Sequence, residues 1–255
     1  SGGTGSSLWT VKTIKGELRR TGTLSARIQG KPAKLAAALN TFNELFWTLS
    51  PVDTRGLKRT ADQGARLLGS LTGESGSVLV MEPGIPRCGE FISVLRAALM
   101  EQGLFPLSPC LHREACPFPG GFSPKKGKAR WCHFAFDTED APAELLRLSG
   151  VAGIPKERAV LSFIFAVKEL PGAPKAAFGV AGDDTTTALV LSDSFAVGKE
   201  GRYGRYCCSP KGLVLAAGSG KTIGQALPGS ALRLTLGRDR DPKSGALVSE
   251  VPARS

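Results

Sequence analysis

Three of the six cysteines and both histidines of this 255-residue chain fall within one stretch, residues 109–134, PCLHREACPFPGGFSPKKGKARWCHF. Five residues separate Cys110 from Cys116, fifteen more precede Cys132, and another seventy-five precede Cys208. Several thiolates together make a soft site, which selects zinc, Cu(I) or an iron–sulfur cluster over hard cations. Structural zinc usually draws its ligands in pairs two to four residues apart, and this chain has no such pair in the stretch. A 4Fe–4S cluster is several ångströms across and suits wider spacing on four thiolates. The competing reading is free buried thiols, because cysteine also behaves as a small hydrophobe.

The stretch has neither a helical nor a strand period, so something other than a packed core must fix its twenty-six residues. Pro117 directly after Cys116 resembles the Cys-Pro of ferredoxin-type sites, and Phe118, Trp131, Phe134 and Tyr206 are apolar enough to keep water away. His112 and His133 each lie within two residues of a cysteine, and no Ser or Asp surrounds them at hydrolase spacing. Their expected role is support near a metal or a loop hydrogen bond rather than catalysis.

Lys and Arg number 33 against 22 Asp and Glu, a formal net charge of +11, which favours a polyanionic partner. A hydrophobic content of 42% allows an ordinary packed core and excludes a disordered tail. No apolar run approaches the length of a membrane span, and the first residues lack a signal-peptide pattern. The expectation is a soluble intracellular protein with no membrane partner, in which thiols stay reduced and clustered cysteines hold metal. The chain opens on Ser1, inside what reads as a motif, which suggests further residues upstream. Nothing in the sequence signals a homo-oligomer.

The elements that must position these residues read as follows. Residues 1–9, SGGTGSSLW, form a Gly-rich loop leading into a helix over 8–19, and such loops let backbone N–H groups approach a ligand. Residues 35–39 are apolar and fit a buried strand or a helix, ahead of a polar loop with Asn40, Asn43 and Glu44. Apolar spacings of three and four predict a helix over 54–71; 77–81 reads as a buried strand stopped by Glu82-Pro83-Gly84, and 90–102 as an amphipathic helix closed by Gly103. Strand and helix alternating in this way mark an α/β sheet with crossover helices. Beyond the cysteines, 143–148 suggests a short helix; 159–168, 185–192, 213–217 and 230–236 read as strands, and 237–255 as a frayed tail. The expected organisation is a partial sheet domain over 1–105, a cysteine-bearing insertion over 106–140, a β-rich part over 141–236 with the remaining cysteines, and the tail. GSGKT at 218–222 lacks the Gly that a phosphate-binding loop places seven residues before its Thr; Leu215 stands there, and a turn is the better reading.

Together these motifs resemble a known family. Pro109-Cys110, Cys116-Pro117 and Trp131-Cys132-His133-Phe134 look like the signature of the methyltransferase-like family associated with the small ribosomal subunit in bacteria and mitochondria. SGGTGSSLW resembles its S-adenosylmethionine loop, LNTFNEL (39–45) its Leu-Asn-Glu-Leu segment, VLVMEPGIPRCGEFI its Glu-Pro-Gly strand and loop, and CSPKG (208–212) the setting of its last cysteine. The resemblance implies an α/β, class I S-adenosylmethionine-dependent methyltransferase-like (Rossmann-like) sheet, incomplete at its N-terminal side, with a Cys-rich metal-binding insertion and a β-rich C-terminal part.

It further implies a 4Fe–4S cluster on Cys110, Cys116, Cys132 and Cys208, with Cys207 a neighbour and Cys88 outside the signature. S-adenosylmethionine would sit at Gly3 and Gly5 beside Asn40, Asn43 and Glu44. Lys125, Lys126, Lys128, Arg130, Arg202 and Arg205 are the expected contacts to ribosomal RNA phosphates. The implied function is small-subunit assembly in the bacterial cytoplasm or the mitochondrial matrix, with or without RNA methylation. The alternative is a non-catalytic, zinc-stabilised nucleic-acid binder.

Overall fold

The structure, a computed structural model, describes residues 32–50, 52–118, 130–153, 158–168, 184–198 and 200–252. β1 (Ala33–Leu39) and β2 (Thr72–Pro83) run parallel, and the chain between them carries α1 (Asn43–Phe46) and α2 (Thr54–Leu71). Parallel neighbours require such a crossover. The ambiguity over residues 35–39 resolves as strand: Ala36 and Ala38 alternate into the core while Leu35 and Leu39 face outward. α2 starts at Asp53, whose carboxylate accepts the Gly56 N–H at 2.7 Å, and buries Leu57, Ala61, Ala65 and Leu68 on one face.

That face packs on α3 (Pro86–Glu101), which is buried around most of its girth by Phe91, Leu95, Ala98 and Leu99. The expected start at Glu90 moves to Pro86, since proline's fixed φ suits the first helical turn. Gly103 ends it at φ +73°, a left-handed conformation that glycine adopts without strain.

β3 (Leu104–Ser108), β4 (Phe134–Asp137) and β5 (Arg158–Lys168) complete the first sheet in the order β1-β2-β5-β3. β5 is antiparallel to its neighbours; β3 pairs with its last residues and β4 with its first. Neither short strand was expected. The cysteine stretch is thus an excursion that leaves and rejoins the same edge of one long strand. α4 (Ala143–Val151) lies outside the core, with no buried residue. This mixed α/β layering agrees with a Rossmann-like methyltransferase class.

The second sheet holds β6 (Thr185–Val190), β7 (Phe195–Ala196), β8 (Arg202–Ser209), β9 (Gly212–Ser219), β10 (Ala231–Thr235) and β11 (Leu247–Glu250) in the order β10-β6-β8-β9-β11, with β7 also on β8. The single turn α5 (Gly220–Ile223) follows β9 and buries Ile223, so GSGKT ends a strand and closes one end of this second core. The tail reading for 237–255 is corrected: β11 pairs in parallel with β9, and Leu247 packs against the second core. Charge and Gly-rich flanks hid a four-residue strand. Among the described residues no helix is long and apolar enough to cross a membrane.

Candidate metal centre

The cysteines approach one another from three places in the fold. Cys110 and Cys116 follow β3, Cys132 precedes β4, and Cys208 sits on β8. On β8 successive side chains face opposite ways. Cys207 points into the second core among Val190, Val214 and Ile223, so Cys208 points out toward the arm. There His112, itself buried, brings Nε2 to 3.2 Å from the Cys208 Sγ.

The arm's support is one face of α3. Gly89, Ser93 and Arg96 follow at spacings of four and three, so they share a face. Gly89 admits the Trp131 ring so closely that a Cβ there would lie 2.6 Å from it. The Ser93 hydroxyl donates to the Phe118 carbonyl, and the Arg96 guanidinium donates to the His112 carbonyl at 2.7 Å. At the returning end, the Trp131 indole donates to the Gly84 carbonyl at 2.9 Å, the Ser162 hydroxyl of β5 to the Cys132 carbonyl at 2.8 Å, and Trp131 stacks on His133. The sequence reading missed these three α3 residues; a small residue, a hydroxyl and a cation in register on an otherwise apolar helix was the available signal.

Burial pushes every thiol of the group with a resolved shift upward. For Cys132, raised well above the ordinary thiol value, burial leads and the charges of Cys110, Cys116 and Cys208 add to it. Cys208 rises through burial, then Cys110 and Cys116, with Arg96 opposing. Cys110 rises for the same leading reason, with Arg96 opposing more strongly than Cys116 reinforces. Burial, followed by Arg96, lowers His112 to about 4, which keeps the imidazole neutral at pH 7.

Arg96 is the unusual member. The residue is 4% exposed, its Nε has no hydrogen-bond partner, and no carboxylate pairs with it among the described residues. A buried cation without a counter-charge is costly. Thiols that stay protonated give it none, whereas thiolates bound to metal would place negative charge beside it. The donor set and this unbalanced cation therefore fit a thiolate-ligated group. Among the described residues no group of three or more His, Cys, Asp or Glu side chains is arranged to hold a metal ion. Cys88 and Cys207 lie apart, each in a core and each pushed by burial to about 12.

A second edge matters for a nucleotide-like cofactor. In open α/β sheets ligands bind beyond the carboxyl ends of parallel strands, and here the loops after β1 and β2 lie side by side there. Asn40 takes φ +48°, a left-handed conformation that asparagine tolerates, while its N–H donates to the Met81 carbonyl at 2.8 Å. Asn40 and Glu44 are exposed and Asn43 is half-buried. The loop is held by Glu82, fully buried, whose carboxylate accepts the N–H groups of Phe42 at 2.8 Å, Thr41 at 3.2 Å and Asn43 at 3.3 Å. Read in the sequence as a strand stop, Glu82 is what shapes the expected cofactor loop. Gly3 and Gly5 lie outside the described residues.

Of the basic residues, Lys125, Lys126 and Lys128 also lie outside them. Arg130 is exposed and donates to the carbonyls of Ser244 at 2.9 Å and Lys243 at 3.0 Å. Arg202 pairs with Glu250. Arg205 is buried and donates to the carbonyls of Ile223, Ser192 and Gly224 at 2.8 to 3.0 Å, which holds α5 and leaves it no surface for a phosphate.

A sequence model of the family described as mitochondrial small ribosomal subunit Rsm22 matches residues 2–177. That span takes in the first sheet and three of the four cysteines of the group, and ends before the second sheet. No curated protein matches the chain.

Proposed function

The chain belongs to the mitochondrial small ribosomal subunit Rsm22 family, a methyltransferase-like family, and from that premise we propose that it is an RNA-binding assembly factor of the small ribosomal subunit, braced by a 4Fe–4S cluster. The observation that supports this reading is the approach of four thiols from separated elements, Cys208 buried and the other three half-buried, with Arg96 acting on Cys110 and Cys208 and having no carboxylate partner among the described residues. Cys110, Cys116, Cys132 and Cys208 would hold the cluster. Bound there, it supplies four thiolate bonds that join the arm to β8 and negative charge beside Arg96. Trp131 fastens the arm to Gly89 and the Gly84 carbonyl, and Lys125, Lys126, Lys128 and Arg130 would supply cations for ribosomal RNA phosphates. The compartment is the mitochondrial matrix in a eukaryote and the cytoplasm in a bacterium.

A second reading is methyl transfer from S-adenosylmethionine to RNA. It is favoured by the loop carrying Asn40, Asn43 and Glu44 at the carboxyl edge of the parallel strands. Calorimetry with S-adenosylmethionine separates the two, since absence of binding removes the enzyme reading and leaves the assembly factor. Anaerobic purification with iron, sulfide and zinc analysis tests the cluster. Iron and sulfide in equal amounts are expected, and stoichiometric zinc without iron overturns it.

A further inference from the structure

The second sheet has its own topology, and that topology points to a ligand face. β6 and β7 both pair with β8 and act as one interrupted first strand; β8 is the second and β9 the third. α5 lies between the third strand and β10, the fourth, which pairs back on the first, and β11, the fifth, runs parallel to the third. The seam between fourth and fifth is closed by the Gly237 N–H on the Val248 carbonyl at 3.2 Å and the Ser249 hydroxyl on the Thr235 carbonyl at 2.7 Å. Five strands in the order 4-1-2-3-5, with a helix after the third, make an OB-type Greek-key barrel. Barrels of this type bind oligonucleotides or oligosaccharides on the face of strands two and three, between the 1–2 and 4–5 loops. Fold alone does not assign a ligand, so the residues on that face must.

Because Cys207 faces the interior, Arg202, Tyr206 and Cys208 face outward from β8. The Cys208 end is covered by His112. The other end is half-open: Tyr206 lies 5.1 Å from the Phe195 ring, and the Arg130 guanidinium lies 5.6 Å from the Tyr206 ring. Arg130 is fixed on the 4–5 loop, residues 236–246, by its two carbonyl contacts there. The same loop exposes Arg238, Arg240 and Lys243, Arg240 also donating to the Gly245 carbonyl at 2.8 Å; of the loop's acids, Asp239 is exposed and Asp241 is engaged by the Ser244 N–H at 2.7 Å. Aromatic faces beside cations on a loop are what sequence-tolerant binding of single strands requires: bases stack and phosphates pair.

We infer that the barrel of residues 184–252 carries a second RNA site, distinct from the arm's lysines, which takes single-stranded RNA on Tyr206 and Phe195 with its phosphates on Arg238, Arg240 and Lys243. The site lies outside the residues that the family match covers, and the identity of the polymer as RNA rests on the assembly-factor reading.

The test uses the full chain, metal-loaded, with a fluorescent 12-nucleotide single-stranded RNA followed by anisotropy across a salt series. Charge reversal of the loop, Arg238→Glu with Arg240→Glu and Lys243→Glu, should weaken binding more than tenfold. It should also flatten the dependence of log K on log salt by about 2, three phosphates at roughly 0.7 each for a single strand. Tyr206→Leu should weaken binding about tenfold with little change in that slope, because it removes stacking and not charge. Metal content and far-ultraviolet circular dichroism should be unchanged in the loop variant, whose three side chains are exposed. Single-strand binding at parental strength in both variants overturns the inference, as does duplex RNA or an oligosaccharide competing as well as the single strand. Loss of binding only on reversing Lys125, Lys126 and Lys128 also overturns it while leaving the assembly-factor reading intact. Absence of any RNA binding by the parent removes both.

Discussion

The loop after β1 and the arm between β3 and β4 leave the same sheet and are completed in opposite ways. Glu82 reaches the first loop from β2, and its carboxylate gathers three backbone N–H groups, so the loop's polar groups are answered within the polypeptide. In the arm the buried groups do not balance: thiols are held protonated by burial and by each other, and Arg96 keeps a charge with no carboxylate partner among the described residues. The contrast teaches that the first loop is shaped by the polypeptide itself, whereas the arm keeps an unbalanced cation that the proposed cluster would answer.

Removing the proposed cluster is the largest perturbation that would separate the two. In Cys132→Ser the thiol coupled to the other three is gone, and the loss of unfolding free energy should exceed about 4 kcal/mol, the range of a lost metal site. Hydrogen exchange should then accelerate at residues 109–118 and 130–134 and along β8, with protection of residues 40–44 retained. Equal loss at both would break the contrast.

Next comes Arg96→Met, whose sign should depend on the metal. In metal-loaded protein the substitution strips thiolates of their cation and should cost about 3–5 kcal/mol, as for any broken buried pair. In the metal-free protein it removes an unpaired buried charge and should be neutral or stabilising. Denaturant melts of the four species measure this; the same sign in both states would mean that Arg96 answers to something other than the thiols.

Two glycines allow a matched, smaller comparison. A Cβ at Gly89 would lie 2.6 Å from Trp131 of the arm, and one at Gly64 would lie 2.7 Å from the ring of Phe42 in the first loop. Gly89→Ala and Gly64→Ala should each cost about 1–3 kcal/mol by overpacking. Only the former should lower iron content, which elemental analysis reads directly.

How much of this was legible differs between the regions for a physical reason. The helices at 54–71 and from Glu90, and the strands at 77–81 and 159–168, announce themselves because hydrophobic period reports burial on one face. β3, β4 and β11 did not, being five residues or fewer with a proline or charge inside or beside them, and their pairing is set by partners far along the chain. The four cysteines were visible by type and spacing. Their support by Gly89, Ser93 and Arg96 was not, because a helix read for its apolar stripe conceals the purpose of its polar positions. Cys208 over Cys207 came from the resemblance; strand alternation gives it a geometric basis that needs the barrel's core to be known.

The smallest effect sharpens the self-contained side of the contrast. Burial raises the Glu82 pKa above its ordinary value of 4.5, and the N–H groups of Phe42, Asn43 and Thr41 oppose that shift without cancelling it. The folded state therefore holds this proton more tightly than the unfolded chain. Its stabilising contribution is complete below pH 4.5 and is lost as the pH rises through the elevated folded value. Glu82→Gln keeps an acceptor for the Phe42 N–H and does not titrate, so it lacks this dependence. Urea unfolding of both proteins between pH 4.5 and 7 should show the parent losing ground to the variant as the pH increases. Cys88, the nearby thiol raised to about 12, stays protonated throughout and does not confuse the reading. A flat difference would mean that three N–H groups compensate the buried charge in full, making the loop still more independent of any ligand than the arm.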